Sequence, residues 1–85
     1  MSRSQFTDRY SLFRELLTAA RQAAGLTQAE LASRLGKPQT FVSKYERGER
    51  RLDVVEFLQI AGALQTDPHA FIERLLREGA SDDAP

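Results

Sequence analysis

The side chains with the most usable chemistry lie between residues 34 and 51. This stretch has only two acidic residues, Glu46 and Glu49, against six basic ones. The basic residues are Arg34, Lys37, Lys44, Arg47, Arg50 and Arg51. Their ammonium and guanidinium groups can pair with phosphate oxygens, and Gln39, Thr40 and Ser43 between them can hydrogen-bond to base edges. The segment therefore predicts a surface that contacts nucleic acid.

Charge is divided unevenly along the chain, although the net charge is zero. Residues 1–51 carry ten Lys and Arg against five Asp and Glu, which is a surplus of +5. Residues 52–85 carry two against seven, which is −5. Charges on a small protein also cluster by chance, but a basic half and an acidic half suit a protein with one side turned toward nucleic acid.

Length and composition exclude several classes of protein. Eighty-five residues, 41% hydrophobic and 28% charged, predict one small globular domain with no room for a barrel or a dinucleotide-binding sheet. With no cysteine and one histidine, the sequence cannot supply a disulfide framework, a thiolate nucleophile or a cysteine-based zinc site. We expect neither a cofactor nor a metal.

Neither catalysis nor membrane insertion is expected. The sequence has no nucleophile paired with a base and no glycine-rich loop for phosphates, so the protein is predicted not to be an enzyme. No apolar run approaches the roughly 18 residues of a membrane span, and residues 1–5 lead into no secretory signal. We therefore expect a cytoplasmic protein.

Hydrophobic spacing and capping residues predict an all-α fold of five short helices without a strand. Two capping boxes are visible, Thr27 with Glu30 and Asp53 with Glu56. The predicted helix starts are, in chain order, Thr7 or Asp8, Thr27, Pro38, Asp53 and Pro68, the last with Asp67 as its N-cap. The predicted stops are Gly25, Gly36, Gly48 and Gly79. The domain is expected to span residues 7–78, between a flexible N-terminus at 1–6 and a flexible acidic tail at 79–85.

The second and third helices have the spacing of a helix-turn-helix, whose second helix enters the DNA major groove. Ala32 supplies the small residue needed where the helices cross, and Gly36 can adopt the positive φ of the turn. Val42 and Tyr45 form a buried stripe on the third helix, opposite a polar side. In the fourth helix the expected buried residues are Val54 or Val55, Phe57, Leu58, Ala61 and Leu64.

The segment from Leu26 to Arg51, LTQAELASRLGKPQTFVSKYERGERR, resembles the Xre/Cro-type (lambda-repressor-like) helix-turn-helix family of bacterial and phage transcription regulators. The shared motifs are the LTQ-x-ELA opening, the glycine turn, the Val-Ser-x-x-Glu recognition helix and the Glu-x-Gly exit. The likeness extends over about residues 10–78. It implies a compact five-helix bundle that binds operator DNA and commonly pairs as a homodimer.

The resemblance also implies which side chains read DNA bases. Gln39, Thr40 and Lys44 match positions that contact base edges, and Ser43 lies beside them. Glutamine can pair with adenine through N6 and N7, and lysine can donate to guanine O6 and N7. Each could also be a solvated polar residue, and Lys44 could contact phosphate instead. Phe41 has two open interpretations, packing on the core or lying over a sugar or a thymine methyl.

Phosphate contacts and one structural ion pair complete the expected site. The position of Gln28 implies a phosphate contact, although Gln28 could serve only as a helix former. The predicted phosphate contacts are Gln28, Lys37, Arg47, Arg50 and Arg51. The family resemblance implies a partly buried salt bridge between Arg21 and Glu46.

The fifth helix has a broad apolar face. It is formed by Phe71, Ile72, Leu75 and Leu76. We expect part of this face to close the core and the rest to be covered by a second copy or by another protein. A homodimer through the fourth and fifth helices would place two recognition helices about 34 Å apart and favour a palindromic operator.

Two functions follow from these observations. The leading hypothesis is a sequence-specific regulator of transcription that binds double-stranded DNA, a repressor or autoregulator. The alternative is an antitoxin or other protein-interaction module whose main partner is another protein.

Overall fold

Five α-helices follow one another in residues 5–79, which is the part of the chain that the computed structural model describes. They are α1 (Gln5–Ala23), α2 (Gln28–Leu35), α3 (Gln39–Glu46), α4 (Val54–Leu64) and α5 (Pro68–Glu78). No strand occurs within this range, so the predicted all-α class and the five helices are confirmed. None of these helices is long and apolar enough to cross a membrane.

Local capping residues determine most of the helix starts. The Glu30 N–H donates to Thr27 Oγ1 at 3.0 Å, and the Thr27 N–H donates to Glu30 Oε1 at 2.8 Å. Asp53 and Glu56 form the same reciprocal pair at the start of α4. Each box satisfies two backbone donors that the first turn of a helix leaves without partners. Asp67 caps α5 by accepting from the His69 N–H.

Two helix starts differ from the prediction. α1 begins at Gln5, before the expected caps Thr7 and Asp8. Residues 5–8 contain no glycine or proline to interrupt the helix there. Pro38 is the N-cap of α3 and not its first helical residue, because its backbone is extended (φ −70°, ψ 156°). The predicted flexible ends fall mostly on residues 1–4 and 80–85, which lie outside the described range.

The turn between α2 and α3 depends on one glycine. Gly36 has φ +69° and ψ 31°, the left-handed conformation predicted for it. The Lys37 N–H then donates back to the Ala32 carbonyl at 2.9 Å, which closes the end of α2. This tight turn allows α3 to pack across α2, with Ala32 buried at the crossing.

The core lies between all five helices. Its most completely buried side chains are Leu17, Leu31, Val42, Tyr45 and Ile60. Phe13, Phe57 and Phe71 form an aromatic cluster that joins α1, α4 and α5, with ring centroids 5.1–5.9 Å apart. The core therefore fixes α2 and α3 against the other three helices.

The buried face of α4 differs from the expected one. Phe57, Ala61 and Leu64 are buried as predicted, and Ile60 joins them. These positions follow the i, i+3, i+4, i+7 spacing of a single helical face. Val54, Val55 and Leu58 are 73%, 63% and 49% exposed, so assigning them to the core was wrong. The two valines lie in the first turn, and Leu58 lies about 100° around the helix from Phe57.

Candidate nucleic-acid interface

α3 has one buried side and one accessible side. Val42 and Tyr45 are fully buried, as predicted. The four residues predicted to read base edges are accessible: exposed Gln39, Thr40 and Lys44, and half-buried Ser43. Their positions i, i+1, i+4 and i+5 share one face of a helix about 12 Å long. The core thus holds a compact polar face toward solvent.

A salt bridge fastens the end of α3 to α1. Arg21 Nε donates to Glu46 Oε2 at 2.8 Å, and Arg21 Nη2 donates to Glu46 Oε1 at 3.1 Å. The two side chains are only 12% and 6% exposed. The hydrogen bonds that Arg21 donates to Glu46 raise the pKa of the Arg21 guanidinium above its usual value. Arg21 Nη1 also donates to the Leu26 carbonyl, so one side chain links α1, α3 and the loop before α2.

Gln28 extends this network to the surface. Its Nε2 donates to Glu46 Oε1 at 2.8 Å, and its Oε1 accepts from Gln39 Nε2 at 3.4 Å. Gln28 is half-buried, whereas Gln39 is exposed. The buried ion pair therefore orients the amide of Gln39, the first residue of α3, through one intervening side chain.

Arg14 is a further anchor of α3. Its Nη1 donates to the backbone carbonyl of Glu46 at 2.7 Å. Nothing in the sequence indicated this contact, because the two residues are 32 positions apart and the acceptor is a backbone atom.

Phe41 packs on the core. Its ring is 9% exposed and meets Tyr45 edge to face, with centroids 5.5 Å apart. The accessible part of the ring faces two cations, Lys37 Nζ at 5.3 Å and the Arg50 guanidinium carbon at 4.8 Å. Cations at these distances are attracted by the ring's negative faces. The Phe41 ring thus contacts both Lys37, which precedes α3, and Arg50, which follows it.

The three arginines after α3 each have a partner within the chain. Arg47 donates to both carboxylate oxygens of Glu49, and Arg50 donates to both carboxylate oxygens of Glu56. The Arg51 guanidinium carbon lies 4.0 Å from the centroid of the Tyr10 ring. All three arginines remain exposed. Sequence reasoning identified the arginines but missed Glu49, Glu56 and Tyr10, which hold them.

The stability that the Arg50–Glu56 ion pair contributes depends on pH. Hydrogen bonds from Arg50, and next from the Asp53 N–H, lower the pKa of Glu56 from 4.5 to about 2. A carboxylate with a lowered folded-state pKa stabilises the fold above its unfolded pKa, and that stability is lost as the pH falls through the folded value. The contribution is therefore complete above pH 4.5 and disappears toward pH 2.

The stability lost in Glu56→Gln should follow this titration. At pH 6 the variant should unfold at lower urea concentration than the natural protein, and the difference should narrow steadily between pH 4.5 and pH 2. Arg50→Gln should show the same narrowing, because either substitution removes the same ion pair. Urea unfolding followed by circular dichroism measures both. A difference that stays constant over this pH range would contradict the assignment.

The apolar face of α5 that was predicted to mediate dimerisation lies partly in the core and partly on the surface. Phe71 is buried and Leu75 is half-buried, whereas Ile72 and Leu76 are 41% and 56% exposed. Beside Ile72 an open apolar groove of about 360 Å³ runs between α4 and α5. It is lined mainly by Leu52, Val54, Phe57, Leu58, Pro68 and Ile72. Exposed Ile72 of α5 therefore shares one apolar groove with exposed Val54 and Leu58 of α4.

Known proteins share both the motif and the fold. A helix-turn-helix family model matches residues 17–71. An XRE-family like protein from Pseudomonas syringae pv. tomato str. DC3000 is 51% identical, with a TM-score of 0.83 over 86% of this chain and 89% of that one. The restriction-modification controller protein C.Esp1396I is 27% identical, with a TM-score of 0.75 over 82% of this chain and 92% of that one. No curated protein matches the chain. The chain belongs to the Xre family of helix-turn-helix regulators.

Proposed function

We propose that the protein regulates transcription by binding a specific double-stranded DNA sequence, with α3 in the major groove. The observation that carries this proposal is the accessible polar face of α3 above a buried stripe. An α-helix fits the major groove of B-form DNA, where each base pair presents a distinct pattern of donors and acceptors. The similarity to a restriction-modification controller protein is in keeping with this function.

Four side chains on α3 would read the bases. Gln39 and Lys44 carry the groups suited to adenine and guanine, and Thr40 and Ser43 offer hydroxyls to either a base or a phosphate. The amide of Gln39 is held by Gln28, which Glu46 holds in turn. An oriented amide loses less conformational entropy on binding than a free one.

Five side chains around α3 would contact phosphates. They are Gln28, Lys37, Arg47, Arg50 and Arg51. Phosphate contacts fix the register of the protein on the duplex and add affinity without sequence information. Because the Arg47–Glu49 ion pair is exposed, it is weak enough to exchange for a phosphate contact on binding.

A homodimer through α4 and α5 would complete the regulator. The exposed apolar residues across these helices are Val54, Val55, Leu58, Ile72 and Leu76. Val54, Leu58 and Ile72 line one groove, and an exposed apolar patch of this kind is typical of an interface, which a two-fold axis would pair with itself. Two recognition helices about one DNA turn apart would then require a palindromic operator, which hydroxyl-radical footprinting would detect as two symmetric protected half-sites.

Ile72→Glu should convert the dimer to a monomer. A glutamate in the centre of an apolar interface would be buried without a partner, so we expect dimer dissociation to become easier by about 100-fold or more. Sedimentation equilibrium measures this change. Gln59→Glu is the matched control, since it adds the same charge on the side of α4 near Arg34 and Gly36. A natural protein that stays monomeric, or an Ile72→Glu variant that stays dimeric, would rule out this interface.

The simplest regulatory action is repression, including repression of the protein's own gene. A dimer bound across a promoter occupies DNA that RNA polymerase needs, which requires no contact with the polymerase. A reporter driven by the protein's own upstream DNA should therefore fall in activity when the protein is supplied. The same apolar face of α4 and α5 also favours the second candidate, a module that binds another protein such as a toxin.

A further inference from the structure

Arg47 is held by a carboxylate at the position where it could bind a phosphate. Its Nε and Nη2 atoms donate to the two oxygens of Glu49, each at 3.0 Å. Its Nη1 donates to Ser43 Oγ at 3.1 Å. Two parallel N–H···O bonds are also the geometry in which a guanidinium binds a phosphate. Three of the five N–H donors of Arg47, including the parallel Nε and Nη2 pair, are therefore already occupied in the free protein.

Glu49 differs from Glu56, the other carboxylate that holds an arginine. Glu56 is 17% exposed and also accepts from the Asp53 N–H at the start of α4, so it belongs to the fold. The side chain of Glu49 is 53% exposed, and within residues 5–79 its one hydrogen-bonded side-chain partner is Arg47. Removing the charge of Glu49 would therefore release Arg47 without removing a helix cap.

The Arg47–Glu49 ion pair can readily break when a phosphate replaces Glu49 as the partner of Arg47. Both side chains are more than half exposed, and water and salt weaken ion pairs of this kind. A DNA duplex presents many phosphates in a regular array, so the guanidinium can change partners at small cost. The Ser43 hydroxyl would keep Arg47 beside α3 during that change.

We infer that Glu49 is an intramolecular competitor of DNA phosphate for the guanidinium of Arg47. The inference rests on the proposed function and deepens it, since it names a residue that limits the affinity of that same surface. When DNA binds, Arg47 exchanges Glu49 for a phosphate, and the carboxylate turns into solvent. Because phosphate contacts carry no sequence information, Glu49 weakens binding to operator and to other DNA by the same factor.

The first test uses Glu49→Gln and a DNA duplex of scrambled sequence. Fluorescence anisotropy at low salt should show binding about two- to five-fold tighter than that of the natural protein. Glu78→Gln is the matched control, because it makes the same change in net charge and also breaks an exposed pair, with Arg74. That variant should bind like the natural protein. In an Arg47→Gln background, Glu49→Gln should have little effect, since the competed group is gone.

Elution from heparin, a sulfated polyanion, gives a second measurement that does not depend on the proposed function. Glu49→Gln should elute at higher salt than Glu78→Gln, and the difference should vanish in the Arg47→Gln background. If no duplex binds but this shift is seen, the proposed function fails while the competition for Arg47 stands. The inference would be overturned if Glu49→Gln and Glu78→Gln had the same DNA affinity and eluted at the same salt concentration. It would also be overturned if Glu49→Gln still raised the affinity or the elution salt in the Arg47→Gln background.

Discussion

Glu46→Ala is expected to lower the free energy of unfolding by about 3 kcal/mol, because it removes one partner of a nearly buried ion pair. The Arg21 guanidinium would remain in place with one backbone acceptor, and Gln28 would lose its acceptor as well. For a domain of this size, the loss corresponds to a fall of roughly 15 °C in melting temperature. Thermal and urea unfolding followed by circular dichroism measure both quantities.

Two further variants separate the buried pair from a general effect of charge. Glu78→Ala removes the carboxylate of an exposed pair on α5, and its stability should change by no more than about 0.5 kcal/mol. Arg21→Ala combined with Glu46→Ala should cost less than the sum of the single substitutions, since no lone buried charge remains. A Glu46→Ala variant as stable as Glu78→Ala would show that the pair does not hold α3 in place.

Reversing the charges of Lys44 and Arg47 should weaken binding to the operator by more than about 100-fold. Loss of the Lys44 contact with a base costs roughly 1–3 kcal/mol, and repulsion of both new carboxylates from phosphates adds to it. Both residues are exposed, so Lys44→Glu with Arg47→Glu should leave the fold intact. Anisotropy with DNA from upstream of the protein's own gene measures the loss, and circular dichroism checks the fold.

The control for this double variant is a second double reversal, Arg74→Glu with Arg77→Glu on α5. It makes the same change in net charge, also at exposed positions, but away from α3. It should bind operator DNA within a few-fold of the natural protein. If the Lys44 and Arg47 variant retains its activity in the cell, α3 is not the functional surface, and the second candidate, binding to another protein, gains support.

Most helix ends and the polar face of α3 were predictable because they depend on residues close in sequence. A capping box such as Thr27 with Glu30 involves positions three apart, and Gly36 marks the turn by its conformational freedom alone. The stripe of Val42 and Tyr45 likewise follows from helical periodicity. These features require no knowledge of how the five helices pack.

The contacts that hold the arginines were not predictable, because they depend on tertiary packing or on the path of a loop. Arg50 contacts Glu56, six residues later, and Arg51 contacts Tyr10, 41 residues earlier. The same limit applies to α4, where Leu58 and Ile60 are equally apolar and only packing decides which is buried. Phe41 lies at the boundary between the buried and the polar side of α3, so helical periodicity alone does not decide whether it is buried. Its ring packs in the core against Tyr45.

The most direct test of a sequence-specific DNA-binding function is fluorescence anisotropy with DNA from immediately upstream of the protein's own gene. The measurement needs scrambled duplex as competitor and several salt concentrations. We expect tight binding that survives the competitor and weakens steeply with salt, as about four to six phosphate contacts per subunit require. Binding that the competitor removes, or that does not change with salt, would contradict a function in specific DNA recognition.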